Sequence, residues 1–186
     1  MRIGIDCDGV LRDFIPALID SVKESHPQHA DKIKTPNAWE WETWLPFWTA
    51  DETEKYVFED NYLDFFGVEC PPIEESVQDW NKLRIWATKN NHELILVSAQ
   101  RPHCEEPTEE WLQRWGFVGF DEIHFTKNKH LIDVDVLIDD SPEKLETFDS
   151  KSINGGKAIC MKQGWNQQCQ NSRLSIDRLS DIIDKI

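Results

Sequence analysis

The stretch Ile3-Gly4-Ile5-Asp6-Cys7-Asp8-Gly9, residues 3–9, is a short apolar run that ends in two carboxylates and a glycine. Such a run is typical of a buried strand, which we predict over residues 3–7. Asp6 and Asp8 are two residues apart and share one side of an extended strand end, and Gly9 permits a sharp exit. The stretch therefore places a candidate nucleophile beside a candidate proton donor.

Similar apolar runs recur along the chain and alternate with segments of helical periodicity. Four further strands are predicted over residues 94–97, 123–125, 134–138 and 158–161. Five helices are also predicted. The first contains Phe14 and Val22, and the second contains Val77 and Ala87. The third begins at Thr108 and ends at Gly116, the fourth begins at Ser141-Pro142, and the fifth contains Ile176, Leu179, Ile182 and Ile183. Strands that alternate with helices indicate an α/β fold with a mainly parallel sheet.

An aromatic and acidic stretch interrupts this alternation between about residues 31 and 72. It contains the cluster Trp39, Trp41, Trp44, Phe47 and Trp48, followed by Tyr56, Phe58, Tyr62, Phe65 and Phe66. No long regular period is present there, which favours short helices. We therefore expect a core domain formed by residues 1–28 and 73–186, with a small helical cap inserted at residues 29–72.

The composition and charge of the chain disfavour binding to long nucleic acids and to anionic membranes. The chain has 186 residues, 39% of them hydrophobic, and a net charge of -15, so we expect one globular unit whose surface repels long nucleic acids and anionic membranes. We find neither an apolar run long enough to span a membrane nor a signal-peptide pattern. The five scattered cysteines form no metal-binding or disulfide pattern, which favours a cytoplasmic protein with reduced thiols.

Polar residues follow the predicted strands where each one ends. Ser98 follows the second strand, Lys127 and Lys129 follow the third, and Asp139-Asp140 end the fourth. In open α/β sheets ligands bind at the carboxyl ends of the strands, so these groups are expected to converge on Asp6 and Asp8. Each of them alone is more often a turn, cap or surface residue. Together, the clustered carboxylates favour Mg²⁺ and phosphoryl chemistry.

These motifs resemble those of the haloacid dehalogenase (HAD) superfamily of phosphohydrolases, which implies a Rossmann-like HAD fold. The residues that carry the resemblance are Asp6-Cys7-Asp8-Gly9-Val10, Ser98, Lys129 and Asp139-Asp140. Within that superfamily, residues 5–14 and 136–140 most resemble the 5'(3')-deoxyribonucleotidases, and the interval to the paired aspartates selects Lys129 over Lys127. The insertion resembles that family's small cap, and Gly164-Trp165-Asn166 resembles a loop near the site in microbial members. Ser98 is followed by Ala99-Gln100-Arg101, where relatives often have a proline or arginine sooner.

The resemblance implies a role for each matched residue. Asp6 would attack phosphorus to form an aspartyl-phosphate, and Asp8 would protonate the leaving group and then activate water. Mg²⁺ would be held by the Asp6 side chain, the Asp8 main-chain carbonyl and Asp140, with Asp139 orienting the neighbouring groups. Ser98 and Lys129 would bind the phosphate, and Phe14 would contact the nucleotide.

The implied function is Mg²⁺-dependent hydrolysis of deoxyribonucleoside monophosphates, which are small-molecule substrates. The oligomeric state is open, with a homodimer as one candidate. Three alternatives stay open. The same chemistry would serve a sugar phosphate or another small phosphomonoester, or a polynucleotide 3'-phosphate end, which the acidic cap disfavours. The third is a non-catalytic phosphate-binding module, which the complete set of acids and lysine disfavours.

Overall fold

Six parallel strands form one sheet in the order β3-β2-β1-β4-β5-β6 in a computed structural model that describes residues 1–186. The strands are β1 (Arg2–Ile5), β2 (Glu93–Ser98), β3 (Glu122–Phe125), β4 (Val136–Asp139), β5 (Lys157–Met161) and β6 (Ser175–Ile176). The chain moves outward from β1 through β2 and β3, and then continues on the other side of β1 with β4. A ligand crevice is expected where the order reverses, beyond the carboxyl ends of β1 and β4.

Seven α-helices and several short helical turns connect the strands. The helices are α1 (Phe14–Ser25), α2 (Ala50–Lys55), α3 (Tyr62–Phe66), α4 (Ser76–Lys89), α5 (Pro102–Trp115), α6 (Pro142–Lys151) and α7 (Gln167–Gln170). Turns of 3₁₀ helix span Pro27–Lys32, Trp41–Thr43, Lys129–Leu131, Gly164–Asn166 and Leu179–Asp184, and a π-helical turn spans Tyr56–Asp60. No helix is both long enough and apolar enough to cross a membrane.

The strands β1, β2, β4 and β5 are buried on both faces, which is why they contain continuous apolar runs, whereas the edge strand β3 is only partly buried. Side chains alternate between the two faces: Leu94 and Leu96 of β2 belong to one hydrophobic cluster, and Ile95 and Val97 belong to another. Ile5 of β1 pairs with residues of both β2 and β4, so the residues after it emerge in the middle of the sheet edge. The α/β fold with a parallel sheet is therefore confirmed.

The aromatic residues between α1 and α4 pack on one face of α1 and form a third hydrophobic cluster. Phe14, Leu18 and Val22 of α1 contribute to it. The remaining buried members are Trp44, Leu45, Tyr56, Val57, Phe65, Phe66 and Cys104. The short helices expected in this stretch are present, and α2 begins with a capping box between Thr49 and Glu52.

Two of the predicted helices differ in the structure. Thr108 does not begin a helix, because α5 begins at Pro102, where proline suits the first helical position, and Thr108 lies buried inside it. The predicted C-terminal helix is present for Leu179, Ile182 and Ile183 but does not include Ile176. Ile176 belongs to β6, and Leu179–Asp184 is a 3₁₀ helix, whose three residues per turn also fit the observed spacing.

Candidate active site

The predicted site residues surround one cleft of about 160 Å³ at the carboxyl edge of the sheet. Six of them line it: Asp6, Asp8, Phe14, Ser98, Lys129 and Asp140. Asp139 lies beneath the cleft and is fully buried. Lys127 is exposed and does not line the cleft. The topology thus brings together groups from the ends of three strands and a loop, as the strand-end argument predicts.

Lys129 is a buried cation that joins two of the aspartates. Its Nζ lies 2.8 Å from Oδ2 of Asp6 and 2.6 Å from Oδ2 of Asp139. Burial alone would lower the pKa of Lys129, but the charges of Asp139 and Asp6 raise it above its usual value. The lysine therefore stays protonated and keeps a positive charge at the floor of the cleft.

Asp6, Asp139 and Asp140 have carboxylate oxygens within 4.8 Å of one another. Burial raises the pKa of Asp140, and the charges of Asp139 and Asp6 raise it further. Burial also raises the pKa of Asp139 to about 6, against the opposing charge of Lys129. Burial and repulsion between the carboxylates therefore disfavour the charged forms of Asp139 and Asp140.

The charges and donors of the cluster fit a divalent cation. If Asp6, Asp8, Asp139 and Asp140 were all ionised, they would carry four negative charges, of which the buried cations Lys129 and Arg12 would neutralise two. A divalent cation would balance the remainder, and an all-oxygen donor set suits Mg²⁺.

Asp140 is held in place by the loop that follows β5. Trp165 Nε1 donates a hydrogen bond to Oδ2 of Asp140 at 2.8 Å, and Asn166 Nδ2 donates to its main-chain oxygen at 2.8 Å. Gln163 from the same loop donates to the main-chain oxygen of Gly9 at 2.8 Å. The 3₁₀ turn Gly164–Asn166 therefore orients one member of the acidic cluster and steadies the turn after β1.

Gly9 approaches this cluster more closely than any other residue type could. Its φ is 73°, in the left-handed region, and a Cβ atom built on it would lie 2.2 Å from Oδ2 of Asp140. The glycine predicted for a sharp exit from the strand is thus required for two reasons. It takes an unusual backbone conformation, and it leaves room for the Asp140 carboxylate.

Asp8, which directly precedes Gly9, accepts hydrogen bonds from two side chains. Arg12 Nη1 donates to its Oδ1 at 3.0 Å, and Gln100 Nε2 donates to its Oδ2 at 2.6 Å. Gln100 Nε2 also lies 3.2 Å from Oγ of Ser98. Burial raises the pKa of Asp8, and the charge of Arg12 opposes the shift without cancelling it. A carboxyl group with a raised pKa is suited to donating a proton.

The opposite wall of the cleft is apolar and aromatic. Phe14 is 8% exposed and packs edge-to-face on Trp41, with ring centroids 6.2 Å apart, and parallel to Phe66 at 5.8 Å. Trp39 also lines the cleft and is 41% exposed. One wall can therefore bind a charged group, and the facing wall can contact a flat apolar one.

Three residues of the site were not assigned a role from the sequence. Arg12 and Gln100 bind Asp8, and Trp165 binds Asp140. Arg12 and Gln100 lie within or directly after matched motifs, and Trp165 lies in the loop singled out by resemblance. The sequence therefore indicates that these residues lie near the site, but it does not show that they form hydrogen bonds with Asp8 and Asp140.

The profile of one protein family, described as 5' nucleotidase, deoxy (pyrimidine), cytosolic type C protein, matches residues 1–184. A 5'(3')-deoxyribonucleotidase of Clostridium acetobutylicum is 24% identical over 156 residues, which cover 81% of this chain and 79% of that protein. A provisionally named 5'(3')-deoxyribonucleotidase of Acanthamoeba polyphaga mimivirus is 27% identical over 150 residues, covering 77% of this chain. The match spans 64% of the viral protein, less than two thirds of its length.

Among solved structures, a haloacid dehalogenase-like hydrolase of Streptococcus pneumoniae superposes with a TM-score of 0.63. The superposition covers 99% of this chain and 97% of that one, at 12% sequence identity. At this identity the likeness concerns the fold alone, and it confirms the Rossmann-like HAD fold.

Proposed function

Because the chain belongs to the cytosolic type C family of deoxyribonucleotide 5'-nucleotidases, with a HAD-type phosphatase fold, we propose that it hydrolyses deoxyribonucleoside monophosphates with the help of Mg²⁺. One observation carries the proposal. Asp6 and Asp8 follow the central strand β1 and lie beside a buried lysine, a buried serine and an acidic cluster that fits a divalent cation. This is the arrangement needed for nucleophilic attack on a phosphate and protonation of the leaving group.

In the proposed reaction Asp6 is the nucleophile. Its carboxylate attacks phosphorus, the bond from phosphorus to the leaving oxygen breaks, and an aspartyl-phosphate forms on Asp6. Asp8 gives its proton to the leaving oxygen and then removes a proton from the water that hydrolyses the aspartyl-phosphate. The raised pKa of Asp8 supports the first of these two tasks.

The phosphate oxygens are bound by Ser98 and Lys129, which line the cleft beside Asp6. Mg²⁺, held by the side chains of Asp6 and Asp140 and the main-chain carbonyl of Asp8, with Asp139 beside it, would neutralise charge on the transferring phosphoryl group. Lys129 already contacts Asp6 and Asp139, and its positive charge limits repulsion between the phosphate and these carboxylates.

The aromatic wall supports a nucleotide as the substrate. Phe14 and the exposed face of Trp39 offer flat surfaces on which any base can stack. We propose that residues 29–72 act as the cap that covers the base and sugar. The net charge of -15 disfavours long nucleic acids, so the proposed substrate is a single nucleotide.

The test is phosphate release from 5'- and 3'-deoxyribonucleoside monophosphates, ribonucleotides and sugar phosphates, each with Mg²⁺ and with a chelator. We expect Mg²⁺-dependent release that favours deoxyribonucleotides, and its loss in Asp6→Asn with the fold unchanged by circular dichroism. A preference for sugar phosphates would refute the substrate, and near-normal release by Asp6→Asn would refute the mechanism.

A further inference from the structure

Arg12 is buried directly beside Asp8, and the proposed reaction gives it no task. Its side chain is 0% exposed, and its guanidinium contacts groups from three parts of the chain. Nη1 donates to Oδ1 of Asp8 at 3.0 Å, and Nη2 donates to the main-chain oxygen of Phe66 and to Oγ1 of Thr108, each at 3.3 Å. The same side chain thus joins Asp8 to α3 and to α5.

The backbone and an aromatic ring hold Arg12 in this position. Its N–H donates to the main-chain oxygen of Cys7 at 2.9 Å, and its own main-chain oxygen accepts from Gly9 at 3.0 Å. The guanidinium lies over the ring of Trp111, with its Cζ 4.5 Å from the ring centroid. Because both ends of the residue are fixed, the direction from which it approaches Asp8 is also fixed.

Packing alone does not account for a charged residue here. Desolvation of a guanidinium is costly, and Nε of Arg12 has no hydrogen-bond acceptor. An apolar side chain of similar length would fill the same space without that cost. The contact that needs a charged donor is the one to the Asp8 carboxylate.

The two oxygens of Asp8 have different surroundings. A guanidinium only donates hydrogen bonds, and the carbonyl oxygen of a protonated carboxyl group accepts them better than its hydroxyl oxygen does, so the contact from Arg12 favours Oδ1 as the acceptor and Oδ2 as the protonated oxygen. Oδ2 contacts Gln100, which also contacts Ser98 on the side where the phosphate is proposed to bind. Oε1 of Gln100 is buried without a partner, so a half-turn of this amide would present an acceptor to a protonated Oδ2.

We propose that Arg12 is the positioning residue that directs the proton of Asp8 to Oδ2, facing the leaving group. The proposal rests on the proposed function. As the Asp6 oxygen bonds to phosphorus, the bond from phosphorus to the leaving oxygen breaks, and the proton on Asp8 Oδ2 moves to that oxygen. Arg12 contacts neither substrate nor phosphate and acts only through Asp8.

The test compares two substrates of similar shape that differ in their need for an acid. The leaving group of 4-nitrobenzyl phosphate is an alkoxide and needs protonation, whereas that of 4-nitrophenyl phosphate is a stabilised phenolate. With Mg²⁺ present, Arg12→Met is expected to lower kcat/KM about 100-fold for the benzyl compound and less than about fivefold for the phenyl compound. Because kcat/KM reports steps up to phosphoenzyme formation, later hydrolysis does not affect the comparison.

Two further variants separate positioning from folding. Arg12→Lys keeps the positive charge but loses the planar guanidinium group. It is expected to lower kcat/KM by a smaller factor, again more for the benzyl compound than for the phenyl compound. This variant also provides the test if Arg12→Met does not fold. Thr108→Val removes a contact on a different guanidinium nitrogen from the one that binds Asp8, and should not change the ratio of the two kcat/KM values. Thermal unfolding of each variant monitors the fold.

The outcomes distinguish this role from the proposed function. Equal losses for the two substrates in both Arg12 variants, or no loss at all, would overturn the role of Arg12 and leave the proposed function standing. Wild-type protein that releases phosphate from neither compound nor from any nucleotide would overturn both.

Discussion

Gly9→Ala tests the close approach of Gly9 to the Asp140 carboxylate, with Gly155→Ala as its matched control. The two glycines have nearly the same φ, 73° and 74°, and a Cβ at Gly155 would have nothing within 4 Å. Each substitution places an alanine in the left-handed region, at a cost of about 1–2 kcal/mol, partly offset by about 0.4–1 kcal/mol from the stiffer unfolded chain. The control is therefore expected to lose about 1 kcal/mol of the free energy of unfolding.

Gly9→Ala adds a second cost that the control does not have. Its Cβ would lie 2.2 Å from Oδ2 of Asp140, so the carboxylate must move about 1 Å or more and lose its 2.8 Å hydrogen bond from Trp165. A buried polar group that loses its partner costs about 1–3 kcal/mol, which brings the expected total to about 2–4 kcal/mol. The displaced carboxylate should also raise the Mg²⁺ concentration needed for half-maximal activity about 10-fold to 100-fold.

Urea unfolding in the presence of Mg²⁺ measures the first effect, and phosphate release against Mg²⁺ concentration measures the second. The reasoning would be refuted if Gly9→Ala lost no more stability than Gly155→Ala and kept the wild-type Mg²⁺ dependence. A change in Mg²⁺ dependence in Gly155→Ala would also contradict it, because that site is remote from the acidic cluster.

Three further predictions address the aromatic wall, the metal and the thiols. Trp39→Ala should raise KM for deoxyribonucleotides several-fold but leave hydrolysis of a small phosphomonoester unchanged, whereas equal effects on both would show that Trp39 does not contact the base. Mg²⁺ at 100 times its dissociation constant should add about 2.7 kcal/mol of stability, measured as a rise in Tm, and Asp140→Asn should reduce this rise. All five cysteines are buried, and burial raises the pKa of Cys70 to about 12 and of Cys104 to about 11. At pH 8 Cys70 and Cys104 are therefore uncharged thiols. Because all five thiols are also buried, a disulfide reagent should modify fewer than one per native chain but all five after denaturation.

The convergence of strand-end residues could be predicted because it depends on backbone topology alone. In a parallel sheet all carboxyl ends meet at one edge, so apolar runs ending in Asp6, Ser98 and Asp139 were sufficient to place these side chains together. This step needs the order of the strands along the chain and no side-chain conformation. The argument holds for the neighbouring strands β2, β1 and β4, but not for β5, because Lys162 after that strand pairs with Asp177 and does not line the cleft.

The C-terminal segment could not be predicted in the same way, because its pattern fits more than one structure. Ile176, Leu179 and Ile182 are spaced by three residues, and all are buried. This spacing suits one face of an α-helix as well as a 3₁₀ turn. Pairing of Cys160 and Met161 with Ser175 and Ile176 decides the outcome, and that long-range contact leaves no local signal.

The partners of Asp8 show a different limit. Arg12 follows Asp8 by four residues, and such a spacing usually indicates an ion pair on a helix surface. Here the chain instead reverses at Gly9, and the guanidinium enters a buried space between Phe66 and Thr108. The burial of Arg12 depends on side chains far away in the sequence, so only the folded structure shows it.

The charge pairs of the site also decide which variant tests the nucleophile. Removal of Lys129 would leave Asp6 and Asp139 buried without a cation, so loss of activity would not distinguish misfolding from a chemical role. Asp6→Asn avoids this problem, because Lys129 keeps Asp139 at 2.6 Å and the amide oxygen can still accept the hydrogen bond from the Cys7 N–H. The substitution also removes a negative charge that repels the carboxylates of Asp139 and Asp140. An Asp6→Asn protein that folds but forms no phosphoenzyme therefore shows that the reaction needs the Asp6 carboxylate, as nucleophile and as Mg²⁺ ligand, whereas one that unfolds would show that the Asp6–Lys129 pair is also essential to the fold.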